Sequence, residues 1–233
     1  MYRHLFFILV ASLFLFSCKN NDNGQKNRLL KLYEQAYTNH DYHTAIVHLN
    51  ELVTVDSSNI EDYYDSLAFY YLKKVENFYA GKKIVEKGIV MFPDNIKMLE
   101  YQSIFKSADG KLDEANTLLD KAYKLSNKYR YLYMKATLLV QGNDMKVEEF
   151  TQLLRKILDD PNYKKEYVED QISTDYPEQL VDLRAKIYID FAQLSLQLMK
   201  DKPGCNTYLD SALRIQPDFQ KALYMKEQLK SIK

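Results

Sequence analysis

The sequence predicts an all-helical, repetitive fold, and three observations carry that expectation. Glycine and proline are scarce, at six and five of 233 residues, and charged residues are spread along the whole chain. A self-similar unit of about 34 residues recurs. In each copy a small residue, a large apolar residue four later and a small or apolar one three beyond share one helical face.

The chain opens MYRHLFFILVASLFLFSCK. Arg3 and His4 make a short basic start, Leu5 to Phe16 is almost unbroken apolar, and Ser17 is small, so residues 1–17 read as a secretory signal. An apolar run of about 12 residues rises about 18 Å as a helix, against a hydrocarbon core of about 30 Å, so a permanent span is the weaker reading. Leu15, Ser17 and Cys18 resemble the lipobox of bacterial lipoproteins. That resemblance implies acylation of Cys18 and cleavage before it, which leaves a membrane anchor that is effectively permanent. Lys19, by resemblance to lipoprotein sorting signals, favours an outer membrane, and the Tyr-, Lys- and Asn-rich composition suits a Bacteroidetes-type source. Residues 18–27 read as a flexible tether, since KNNDNGQKN has no apolar side chain.

Lys plus Arg and Asp plus Glu are 32 each, and loss of Arg3 with the signal leaves the mature chain near −1. No basic stripe is visible, which argues against a nucleic-acid partner. Two cysteines exist, so an acylated Cys18 leaves Cys205 without a disulfide partner.

The small–large–small trios are Ala45, Leu49 and Leu52; Gly81, Val85 and Gly88; Ala115, Leu119 and Ala122; and Cys205, Leu209 and Ala212. The copy at 146–162 has Glu149 where a small residue belongs, or slips by one residue. Stops follow at Pro93, Pro161 and Pro217. Each trio is preceded by an amphipathic stretch of about three turns, such as LLKLYEQAYTNH or YYDSLAFYYLKK. Residues 28–162 hold four such units. Residues 163–185 break the period and read as a longer connection or a lateral arm, the connection being favoured. Asp175, Pro177 and Glu178 there suggest a helix start. Residues 186–233 supply a fifth unit and a terminal capping helix with Lys221, Lys226 and Lys230 on its solvent side.

Helix, short turn, second helix and stop at this period resemble the tetratricopeptide repeat (TPR), without that family's Trp and Leu-Gly pair. The resemblance implies an all-α, right-handed α-solenoid of about five helical hairpins with a C-terminal capping helix. It also implies a concave groove lined by the first helix of each pair. Carried onto this chain, the groove positions are Glu34, Tyr37, Tyr63, Tyr70, Lys73, Lys74, Glu100, Ile104 and Tyr133. A Tyr-lined groove of mixed charge suits an extended peptide or a partner helix; the alternative is that these rings only fill a divergent solenoid.

Catalytic chemistry has little support. His43 and His48 are five apart, off one helical face, and His40 belongs to a turn, so no metal site is expected. Glu148–Glu149 and Asp159–Asp160 point about 100° apart on a helix and read as solvated. No cofactor motif occurs. The expected function is a non-catalytic, envelope-anchored protein-interaction scaffold. Its partners would be the membrane, through Cys18, and an unidentified protein or peptide. Accessory roles in outer-membrane protein assembly, secretion or polysaccharide uptake fit the same layout. An envelope hydrolase is the distant rival. Cys18→Ala is expected to abolish fatty-acid labelling of the expressed protein; labelling that survives the change would refute the lipobox.

Overall fold

A computed structural model describes residues 23–141, 145–173 and 176–231, so Cys18, the signal and Asp175 lie outside the described residues. The chain divides into two compact units, residues 1–109 and 110–233. In the first unit α1 covers residues 23–38, followed by α2 (Tyr42–Val55) and α3 (Ile60–Phe69). A π-helical turn (Tyr70–Lys74), α4 (Phe78–Met91) and α5 (Ile96–Ala108) complete it. The second unit holds α6 (Leu112–Ser126), α7 (Tyr129–Leu138), α8 (Val147–Asp159), β1 (Tyr167–Asp170), β2 (Gln179–Asp182), α9 (Leu183–Gln197), α10 (Lys202–Ile215) and α11 (Gln220–Ser231).

Local chemistry sets the helix ends. The side chains of Asp41, Asn77 and Asn95 accept from the backbone N–H three residues on and start α2, α4 and α5. His40 and Asn127 adopt left-handed backbone where α1 and α6 stop. The helix over 23–38 starts within the stretch expected to be a tether. Its Lys26 explains part of that extension, because the ammonium reaches Asp56 at 2.8 Å and fastens the first turns of α1 to the end of α2.

All four trios read from the sequence are buried. Two glycines show why the slots are small. A Cβ on Gly81 would stand 2.6 Å from Leu72 Cδ2, and one on Gly88 would stand 2.8 Å from Met98 Sδ. In α8 the trio is Phe150, Leu154 and Ile157, so the register slips by one and Glu149 is exposed. Phe150 fills the slot with a ring that packs into the core of α7, α8 and α9.

Residues 163–182 depart from the expected helix start. Pro177 and Glu178 precede a strand, and β2 pairs antiparallel with β1, placing Tyr167 opposite Asp182 and Asp170 opposite Gln179. Two glutamines tie β2 to the end of α10 and the start of α11. Gln216 accepts from the Asp182 N–H at 2.8 Å and donates to the Leu180 carbonyl at 3.3 Å. Gln179 donates to the Asp218 carbonyl and accepts from the Gln220 N–H, both at 2.9 Å. Lys221 and Lys226 of α11 fold back to pair with Asp170 and Asp210 rather than project into solvent.

The hairpin also starts α7, whose own N-cap Lys128 contributes no side-chain bond. The Glu166 carboxylate accepts from the Tyr129 N–H at 2.8 Å and the Arg130 N–H at 2.9 Å. It thereby satisfies two first-turn donors with a negative charge at the positive end of the helix. Glu166→Ala should lower stability by about 1–2 kcal/mol, read as the midpoint of urea unfolding, and Glu166→Gln should lose less. An unchanged midpoint in Glu166→Ala would show that the cap is dispensable.

Candidate partner-binding surfaces

In the first unit the sequence-predicted groove residues separate by burial. Glu34 and Tyr37 on α1 are exposed, Tyr37 at 53%. Lys73, Lys74 and Ile104 are exposed and Glu100 is half-buried. Tyr63 and Tyr70 are buried, which corrects the expectation that groove tyrosines present their rings to solvent. Each is buried because its hydroxyl has a partner inside. Tyr63 donates to Asp56 Oδ2 at 2.6 Å, and burial together with that carboxylate pushes its pKa up to about 12. The Tyr70 and Tyr33 hydroxyls are 2.9 Å apart, and the rings of Tyr33, Tyr37, Tyr42 and Phe69 surround Tyr70.

The open part of this unit lies beside that cluster. Leu72, Lys73, Phe78, Tyr101, Ile104 and Phe105 line a cavity of about 260 Å³. Phe78 and Ile104 remain 61% and 50% exposed at it. Asn77 caps α4, so Phe78 is the first residue of that helix, where no preceding turn covers its ring. A second cavity of about 200 Å³ is lined by Asp65, Ser66, Phe69, Tyr70, Lys97 and Tyr101. Tyr101 thus belongs to both walls. Sequence reasoning missed Phe69, Phe78, Tyr101 and Asp65. An aromatic directly after an N-cap was the one readable signal, at Phe78.

In the second unit Tyr133 is half-buried, which corrects its assignment as an open groove ring. Its hydroxyl donates to Asp190 Oδ2 at 2.8 Å. Burial first, then the Asp190 charge, pushes its pKa well above the ordinary value. Asp190 also accepts from Lys186 at 2.6 Å, and Lys186 lies 3.9 Å from Asp170, which pairs with Lys221 at 3.1 Å. Burial alone would lower the Lys186 pKa; the two carboxylates outweigh it and hold the amine charged. Tyr133, Lys186 and Asp190 form the polar side of a cavity of about 380 Å³ whose other wall is apolar, including Val140, Phe150 and Leu194.

The histidines serve local roles. His40 Nδ1 is 3.0 Å from the Tyr42 hydroxyl, and His48 Nδ1 is 3.3 Å from Glu51 Oε2. Among the described residues no group of three His, Cys, Asp or Glu side chains is placed to hold a metal ion. Cys205 is packed in the core of α9 and α10, where burial and then the Asp201 charge push its thiol pKa up.

No protein-family model and no curated protein matches the chain. Solved structures do. A TPR protein from Parabacteroides merdae aligns at a TM-score of 0.62 and 12% identity, covering 88% of this chain and 72% of its own. A thermophilic TPR protein of Thermus thermophilus aligns at 0.55 and 13%, covering 89% and 100%. YrrB, described as a TPR protein with an unusual peptide-binding site, aligns at 0.54 and 16%, covering 91% and 97%. The fold is a TPR-like α-solenoid. At these identities the likeness concerns the fold alone.

The Asp56 cluster makes the first unit sensitive to acid. Desolvation pushes the Asp56 carboxyl up, but Lys26, Ser58, Tyr63 and Asn59 donate to it and hold it well below the usual carboxylate range. A depressed folded-state pKa gives stability that is fully present above the unfolded value, about 3.9, and is lost as pH falls through the folded value. The midpoint of thermal unfolding should therefore fall steeply below about pH 4. Asp56→Asn should lower stability at pH 7 by about 1–3 kcal/mol and flatten that acid limb. An acid limb of equal slope in the variant would remove Asp56 as its source.

Proposed function

We propose that this protein is a non-catalytic interaction scaffold, tethered to a bacterial outer membrane through Cys18, that docks a protein or peptide partner on the first unit. One observation carries the reading. The cavity beside α4 and α5 is apolar, is open, and keeps Phe78 and Ile104 exposed at its rim. Apolar surface gathered at an open cavity is stabilised when a partner side chain removes it from water, at about 25 cal/mol per Å². Aromatic and branched residues on rigid helices supply that area at small entropic cost. A TPR-like fold suits such a role, as does the resemblance of Leu15–Cys18 to a lipobox.

Binding and stability should separate at this cavity. Ile104→Asp places a charge on a half-exposed position and should change stability by less than about 1 kcal/mol. The same change should cost about 2 kcal/mol or more of partner binding, roughly a thirtyfold loss. Crosslinked capture from membranes, comparing wild type with a folded Ile104→Asp variant and with Phe78→Ala, measures it. Recovery of the same partners in the same yield from both variants would refute docking at this cavity.

A further inference from the structure

We infer that the partner segment carries a basic side chain, arginine above all, next to its apolar anchor, and that the Asp65 cavity receives it. This specificity rests on the docking face proposed above. The Asp65 cavity shares Tyr101 with the apolar one, so a single segment can reach both. Its walls are three rings, Phe69, Tyr70 and Tyr101, around one carboxylate whose side chain is only 12% exposed. Ring faces attract cations, and a guanidinium both stacks on them and grips a carboxylate with parallel N–H groups.

At Asp65 itself positive charge is thin, although Lys73 lines the adjoining cavity and Lys74 lies 5.5 Å from the centre of the Phe69 ring. The Asn95 amide donates to Asp65 Oδ1 and to Glu61 Oε1, both at 2.9 Å, so one neutral group holds two carboxylates a helical turn apart. Like charges at that spacing repel. The ammonium that the structure pairs with Asp65 is that of Lys97, at 3.2 Å, and its side chain is 65% exposed. An ion pair so exposed contributes little and is easily exchanged. Lys97 therefore stands where the partner's cation would sit. Burial still holds the Asp65 carboxyl above its ordinary value despite Lys97 and Asn95, as expected of a carboxylate short of positive charge.

The test uses the full chain and fluorescein-labelled short Ser/Gly peptides bearing one Phe and one Arg at graded separations, with matched sets carrying Ser or Glu for Arg. Fluorescence polarisation should show an Arg peptide binding about tenfold tighter than its Ser counterpart, with Glu weakest. Asp65→Asn should abolish the Arg advantage. Lys97→Ala, at an exposed site that does not threaten folding, should strengthen Arg binding by a few-fold because it removes the resident competitor. The cationic specificity is overturned by a preference for Glu, by an Arg advantage indifferent to both variants, or by no binding in any set up to about millimolar concentration. Binding that is lost in Ile104→Asp but shows no Arg preference would leave the docking face standing and sink only its charge specificity. Peptide binding that survives Ile104→Asp unchanged would instead sink the docking face.

Discussion

Close helix approach at the small slots is the constraint on which the rest of the structure depends. It is tightest in α4, where Gly81 leaves no room for a Cβ beside Leu72. Leu72 belongs to the π-helical turn, in which the Val75 N–H reaches back five residues to the Tyr70 carbonyl at 3.0 Å. The wider turn continues α3 and ends in a left-handed Glu76, after which Asn77 opens α4. Leu72 then seals one side against Gly81 and lines the apolar cavity on the other. A π-helical turn is an irregularity often kept at functional sites. Here it couples the packing of α4 to the shape of the apolar cavity, so Gly81→Ala would move a cavity wall as well as a core contact.

The second unit solves a different problem, that of holding polar groups inside. Its β-hairpin caps α7 through Glu166 and brings Asp170 between Lys186 of α9 and Lys221 of α11. Buried charges are tolerable only when each meets its opposite, and removal of one strands the others. Tyr133, Asp190, Lys186, Asp170 and Lys221 form such a chain across four elements. The segment that breaks the repeat period is therefore structural on two counts, as a helix cap and as a charge partner. The charge-partner role has smaller counterparts in short turns, at Asp56 with Lys26 and Asp109 with Lys82.

Much of the fold was legible because the trio pattern is local and repeated. Spacings of four and three identify a buried helical stripe without knowledge of what it meets, and four of five stripes fell in register. The fifth carries the one-residue slip that the sequence left open, and at Phe150 a large ring occupies the small slot, where only its neighbours show that there is room. The hairpin was not legible for a related reason. YVED and QLVD are four residues each, and Val168 opposite Val181 is the one apolar pair they share. Strand pairing there is decided by Glu166, Gln179 and Gln216, whose partners lie 34 or more residues away.

The candidate site shows the same division between local and distant information. A groove position can be assigned from the repeat, but whether its ring is exposed depends on what its polar tip finds. The chain has 20 tyrosines and no tryptophan, so tyrosine is its main large aromatic with a polar handle. Tyr63 finds Asp56, Tyr70 finds Tyr33, and Tyr133 finds Asp190, and each is drawn inward by that bond. Phenylalanine and isoleucine have no tip to satisfy and gain nothing from such a partner. At the cavity of the first unit the open apolar surface accordingly falls to Phe78 and Ile104, while Tyr79, at 72%, and Val90, at 81%, stand exposed outside it. Phe78 and Ile104, the exposed apolar pair of the candidate docking face, have no polar tip that the fold could draw inward.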